Sequence, residues 1–150
     1  MLTWKPVGAA MQNNPDTTLV TQTAIMAAST HGGRAKCLQR LIRLDLPVPK
    51  TVALSFSAVS KIANGELPDI EAVLSQFPKD ALLCVRPSSE DADWGGPSAV
   101  LNIGMNDSSH AELCAQLGTD GATAIYTRFV QSYAINVARL DPDMFDDVVA

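Results

Sequence analysis

Apolar positions along the chain fall in short bursts whose spacing alternates between helical and strand-like periods. Thr17 to Thr30 is rich in Thr and Ala. Val20, Ala24 and Ala27–Ala28 share a helical face there, so the spacing predicts a helix with Asp16 or Thr17 as its cap. His31-Gly32-Gly33 breaks that pattern. From Arg34 to Leu44, Leu38, Leu41, Ile42 and Leu44 recur at helical spacing, with Arg34, Lys36, Arg40 and Arg43 on other faces. Pro47 and Pro49 force extended backbone beyond Asp45. Thr51-Val52-Ala53-Leu54 reads as a buried strand. Ser55 or Ser57 then caps a helix from about Ala58 to Asn64, stopped at Asn64-Gly65.

The same reading continues downstream. Pro68-Asp69 opens a helix with Ile70, Val73, Leu74 and Phe77 on one side, and Pro78 ends it. Ala81 to Val85 is a second strand. A polar Gly/Ser/Pro loop leads to a third strand, Ala99 to Gly104. Asn106-Asp107-Ser108-Ser109 is a helix-start signal for Ala111 to Leu117, and Gly118-Thr119-Asp120-Gly121 interrupts. Ala122 to Ala138 carries Ile125, Phe129, Val130, Tyr133 and Val137 at 3–4 spacing, an apolar stripe expected to be core. Asp141-Pro142-Asp143 restarts a short acidic helix. Residues Met1 to about Asp16, with Pro6, Gly8 and Asn13-Asn14-Pro15-Asp16, read as an extended leader, part of a partly ordered segment covering residues 1–30. Strands alternating with helices predict an α/β or α+β mixed fold, with a small mixed sheet and flanking helices. Three strands are few for 150 residues, so the chain is expected to be part of a larger architecture.

Composition narrows the function. A formal net charge of −5 argues against a general nucleic-acid or membrane surface, both of which favour a basic face. The apolar runs are too short for a membrane helix, and no secretory signal is present, so a cytoplasmic location is expected. Cys37, Cys84 and Cys114 are widely spaced, which fits reduced thiols. His110 and Cys114, four apart, face the same way on a helix but are too few for a zinc site.

The candidate chemistry is anion binding. Arg86 sits where the second strand gives way to Pro87-Ser88-Ser89-Glu90-Asp91, a loop of small residues and backbone N–H groups. It is placed either to clasp Glu90, Asp91 or Asp93, or to contact a phosphate. Gly32-Gly33 before a helix offers a second set of N–H donors. Arg34 in that helix's first turn is unfavourable against the helix dipole unless an anion lies nearby.

Three pieces then fall in a recognisable order: Gly32-Gly33-Arg34-Ala35 with Leu44-Asp45-Leu46-Pro47-Val48-Pro49; Val85-Arg86-Pro87-Ser88-Ser89-Glu90-Asp91; and Ala99-Val100-Leu101-Asn102-Ile103-Gly104-Met105-Asn106-Asp107, followed by Tyr126-Thr127-Arg128-Phe129-Val130-Gln131-Ser132-Tyr133. From about His31 to about Asp147 this order resembles the N-terminal part of the ATP-grasp nucleotide-binding domain of the pyruvate phosphate dikinase family. It is less similar to phosphoenolpyruvate synthase, although Ser88-Ser89-Glu90-Asp91 looks more like the synthase. The resemblance implies a kinase-type transferase that binds ATP and Mg²⁺ in the cytoplasm. Arg34 stands at the position of the family's phosphate-binding lysine, and Arg86 at that of an arginine reaching the nucleotide phosphates. Gly32, Gly33 and Ser88 complete the implied nucleotide-binding set. Phosphoryl transfer spreads negative charge over oxygens that fixed cations stabilise.

The same resemblance implies that magnesium ligands, the phosphorylated histidine and the pyruvate-binding barrel come from further sequence. Pyruvate and phosphate would then be reached only through those domains, and the chain alone would be incomplete for catalysis. An exposed docking face on such a chain would favour self-association. The sequence departs from the family at Arg34, Ala35, Pro87 and the Asp93–Ser98 stretch. Those changes motivate an alternative: a non-catalytic nucleotide- or partner-binding regulatory module that retains the fold.

Overall fold

A computed structural model describes residues 16–91 and 98–145. The residues up to 15, Asp93 and the Trp94-Gly95-Gly96 insertion, and the last residues after 145 lie outside the described residues. Among the described residues the main elements follow in the order β1 (Thr17–Leu19), α1 (Ala28–Arg43), β2 (Val52–Leu54), α2 (Phe56–Ala63), α3 (Ile70–Leu74), β3 (Leu83–Val85), β4 (Val100–Ile103) and α4 (Asp107–Asn136). The fold is mixed α and β. The sheet differs from expectation: the strands form two separate two-stranded antiparallel sheets, β1–β2 and β3–β4, rather than one small mixed sheet. The chain divides into two compact units. One holds the residues up to Lys79 together with the stretch from Ser88; the other holds Asp80–Pro87 and the remainder.

In the first unit, Thr17–Leu19 is a strand and not the start of a helix. Thr17 pairs with Leu54, Thr18 with Ala53 and Leu19 with Val52. The backbone of Val20 donates to Thr51, and Ser55 donates to Asp16, so the ladder runs past both ends of the strand. The β-branched Thr17 and Thr18 suit this pleated position, and pairing with a distant segment overrides the local helical spacing. The helix begins instead at Ala28, where Thr30 Oγ1 accepts from the Ala27 backbone N–H.

Val20, Met26, Ala35 and Ala53 form the core of this unit, with Ala24, Leu38 and Ile42 packed against it. Gln39 is completely buried among them. Its Nε2 donates to the carbonyls of Thr21 and Ala24 at 3.1 and 2.6 Å. Its Oε1 accepts from Lys36 Nζ at 2.7 Å, and Lys36 donates also to the Met26 carbonyl. One face of α1 thus donates to three carbonyls of the turn between β1 and α1. Leu44, expected on the apolar face, is exposed because α1 ends there. Asp45 then adopts φ 55°, its N–H on the Ile42 carbonyl and that of Leu46 on Leu41, the double bond pattern of a Schellman cap.

The short helices follow their caps. Ser55 Oγ accepts from Ala58 N–H at 3.0 Å, and Gly65 closes α2 with φ 89°. Asp69 Oδ1 accepts from Ala72 N–H at 2.9 Å. Each such cap is worth about 1 kcal/mol.

In the second unit, Leu83 pairs with Ile103 and Val85 with Val100, with a register irregularity between them. Asn106 Oδ1 accepts from the N–H groups of Ser108 and Ser109 and starts α4. At Gly118, φ 79° and ψ 163° turn the helix at a corner, where the glycine pattern places a break. Of the stripe expected as core, Ile125 and Phe129 are partly buried and the other three residues are not core. Val130, Tyr133 and Val137 are each about half exposed, at 48, 48 and 50%. The face turned to β4 carries Ala122 and Ser132 together with Ile125 from the expected stripe. Ala122 is fully buried, the Ile125 carbonyl accepts from Asn102 Nδ2 at 3.2 Å, and Ser132 Oγ accepts from Leu101 N–H at 3.2 Å. Small and polar residues bring the helix close to the strand, which rotates the bulky stripe partly outward.

Candidate functional site

The turn of the glycine pair and the serine loop meet in the first unit, with Ala35 and Ser88 in contact from 53 residues apart. Gly32 breaks the helical path with φ 83° and ψ 159°, and the helix resumes at Gly33. A Cβ on Gly32 would fall 2.2 to 2.4 Å from the backbone and hydroxyl of Ser88. Backbone and side chain of Ser88 therefore require glycine at this position twice over, by contact and by dihedral. Gly33 carries no such demand, since a Cβ there would meet the nearest carbonyls at an ordinary 3.7 Å.

The close approach is made by the protein itself. Gly33 N–H donates to the Ser89 carbonyl at 2.7 Å, and Ala35 N–H donates to Ser88 Oγ at 3.1 Å. A helix leaves its first N–H groups without intrahelical partners. Here two of them are satisfied across the unit, and Ser88 serves as a capping side chain supplied from another part of the chain. Ser89 Oγ in turn donates to the Asp91 carbonyl, which tightens the loop. Nothing in the local sequence reveals this contact, because cap and capped turn lie far apart.

Among the implied nucleotide-binding residues, Gly32, Gly33 and Ser88 are therefore in mutual contact. Arg34 lies in the same first turn, exposed to solvent. Arg86 is exposed just past β3 and belongs to the second unit. No group of three or more His, Cys, Asp or Glu side chains able to hold a metal occurs among the described residues. For a phosphate, the residues fit in charge, through Arg34, while two of the N–H donors nearest it are already engaged by Ser88 and Ser89.

His31 sits one residue before the break and is buried. Its Nδ1 lies 2.8 Å from Thr30 Oγ1 and its Nε2 3.2 Å from Thr18 Oγ1, so it links α1 to β1. Burial pushes its pKa below the usual value, which favours the neutral ring.

A concave feature with no signal in the sequence lies elsewhere in the first unit. A shallow cavity of about 220 Å³ is lined by Asp16, Ala58, Lys61, Glu66, Leu67 and Pro68. Lys61 Nζ lies 2.5 Å from Asp16 Oδ2, and its pKa is raised, first by that hydrogen bond and then by the Asp16 charge. Asp16 and Lys61 are 45 residues apart, so spacing carries no hint of the pair.

No helix among the described residues is long and apolar enough to cross a membrane. In comparisons with known proteins, no family model matches the chain and no curated protein matches it.

Proposed function

We propose that the chain is the ATP-binding portion of a pyruvate phosphate dikinase-like phosphotransferase, an ATP-grasp subdomain that is incomplete for catalysis alone. The observation that carries this reading is the seating of Gly32-Gly33 on Ser88-Ser89. Two motifs of the resemblance, remote in sequence, lie against each other at the first turn of a helix that bears Arg34. A cation in that turn is costly against the helix dipole and gains from an anion beside it. Arg34 is the residue that would meet a nucleotide phosphate there, through charge-assisted hydrogen bonds from its planar fork. Arg86 is the second candidate cation. Mg²⁺ ligands are expected beyond this chain.

One observation favours the non-catalytic alternative. The N–H groups of Gly33 and Ala35 already bond Ser89 and Ser88, so this part of the cradle is closed on itself. A module that keeps the fold for binding a partner has no need to open it.

Calorimetric titration of the 150-residue chain with MgATP separates the two readings. The ATP reading expects saturable binding that Arg34→Ala weakens about tenfold, the loss of roughly 1.4 kcal/mol. It also expects no pyruvate-dependent phosphoryl transfer. Absence of binding at millimolar MgATP, or equal affinity in the Arg34→Ala and Arg86→Ala variants and the parent, would leave the non-catalytic module.

A further inference from the structure

The corner in α4 assembles a second chemical group that owes nothing to the phosphate reading. His110 and Cys114 lie one turn apart before the corner, and Cys114 Sγ is 3.9 Å from Nδ1 and 3.7 Å from Nε2 of the ring. Residues after the corner hold the same ring. Thr123 Oγ1 is 3.3 Å from Nε2, and the Tyr126 ring lies tilted against it with centroids 5.6 Å apart. The Tyr126 hydroxyl donates back across the corner to Asp107 Oδ1 at 3.4 Å. Gly118, with its positive φ, is what folds the two segments together. A nucleophile beside a base, with the base oriented by further groups, is the arrangement that activates a thiol. Cys114 is half-buried and unbonded to another sulfur, whereas Cys37 and Cys84 are exposed.

We propose that Cys114 is a hydroperoxide-sensitive modification site, with His110 as its base. The thiol proton passes to the imidazole. The thiolate sulfur attacks one peroxide oxygen, so that an S–O bond forms as the O–O bond breaks. The departing hydroxide takes the proton from the imidazolium and leaves as water. Sulfur is oxidised to the sulfenic acid and the peroxide is reduced, and the balance closes with Cys–SH and H₂O₂ giving Cys–SOH and H₂O.

The test treats the intact chain with hydrogen peroxide in the presence of a sulfenic-acid trap and maps the labelled cysteine by peptide mass. Cys114 is expected to label several-fold faster than Cys37 and Cys84 in the native protein, despite its lower exposure, and at the same rate as both in urea. His110→Gln is expected to slow Cys114 by about tenfold and leave the other two unchanged. If that variant does not fold, as judged by circular dichroism, Thr123→Val supplies the same comparison, with a smaller slowing at Cys114 alone. Faster labelling of either exposed cysteine in the native chain would overturn the assignment, as would an unchanged Cys114 rate in the folded variant.

Discussion

Gln39 is the residue on which the first unit depends in a way that side-chain polarity conceals. A glutamine on a helix with charged neighbours reads as a solvent-facing position, yet it is sealed in the core. Its amide holds two carbonyls of the turn after β1, and its oxygen anchors Lys36. Removing the amide leaves the Ala24 carbonyl without that donor, at about 1–3 kcal/mol, while the Thr21 carbonyl keeps the Ala24 N–H. Gln39→Leu keeps the volume approximately and is expected to lower the unfolding free energy by about 1–3 kcal/mol, read from urea denaturation. A change below half a kcal/mol would mean that water reaches the Ala24 carbonyl. His31 is the other informative side chain. Its ring is neutral in the fold because burial lowers its pKa. The unfolded chain takes up a proton as the pH falls through about 6.5, while the folded chain resists until lower pH. The contribution of His31 is therefore whole above that value and is lost as the pH drops below it. Melting between about pH 7.5 and 5.5 is expected to show this loss, and His31→Gln to reduce the difference between the two ends of the range.

At the scale of elements, what was legible follows from how local each signal is. Ser55, Asp69 and Asn106 announce their helices because a cap acts over three residues. Gly65 and Gly118 announce an end and a corner because each supplies a positive φ in place. β1 departs from the helix that its spacing predicts because its partner lies beyond Thr51, and a run of Thr and Ala fits a helical period as well as a short strand. Spacing alone places the whole apolar stripe of α4 in the core, whereas Val130, Tyr133 and Val137 are about half exposed. The burial of Ala122 and the bonds from Asn102 and Leu101 show that close approach, and not bulk, chose the buried face. The end of α1 supplies a prediction of the same kind. Asp45 occupies the left-handed position of a Schellman cap, where glycine has no Cβ cost. Its side chain gains only a long contact of 3.4 Å from Gln22. Asp45→Gly is expected to stabilise the first unit by about 0.5–1 kcal/mol, measured by the same urea titration, and a destabilised variant would show that the Gln22 contact outweighs the strain.

For the whole molecule, the residues that the resemblance implies fall in different units. The first holds Gly32, Gly33, Arg34 and Ser88, and the second holds Arg86. The glycines and arginines were visible as an anion-binding pattern. The capping of Gly33 and Ala35 by the Ser88-Ser89 loop was not, since a contact across 53 residues leaves no periodicity to read. That capping sharpens the phosphate proposal into a statement about particular atoms. A nucleotide phosphate bound beside Arg34 must perturb the first turn of the helix after Gly32. Amide NMR of the labelled chain reads this directly. Addition of MgATP is expected to shift the backbone amides of Gly33, Arg34 and Ala35 in a saturable way, while adenosine leaves them in place. Amides of the first turn that stay fixed at millimolar MgATP, or that move equally with adenosine, would contradict the account.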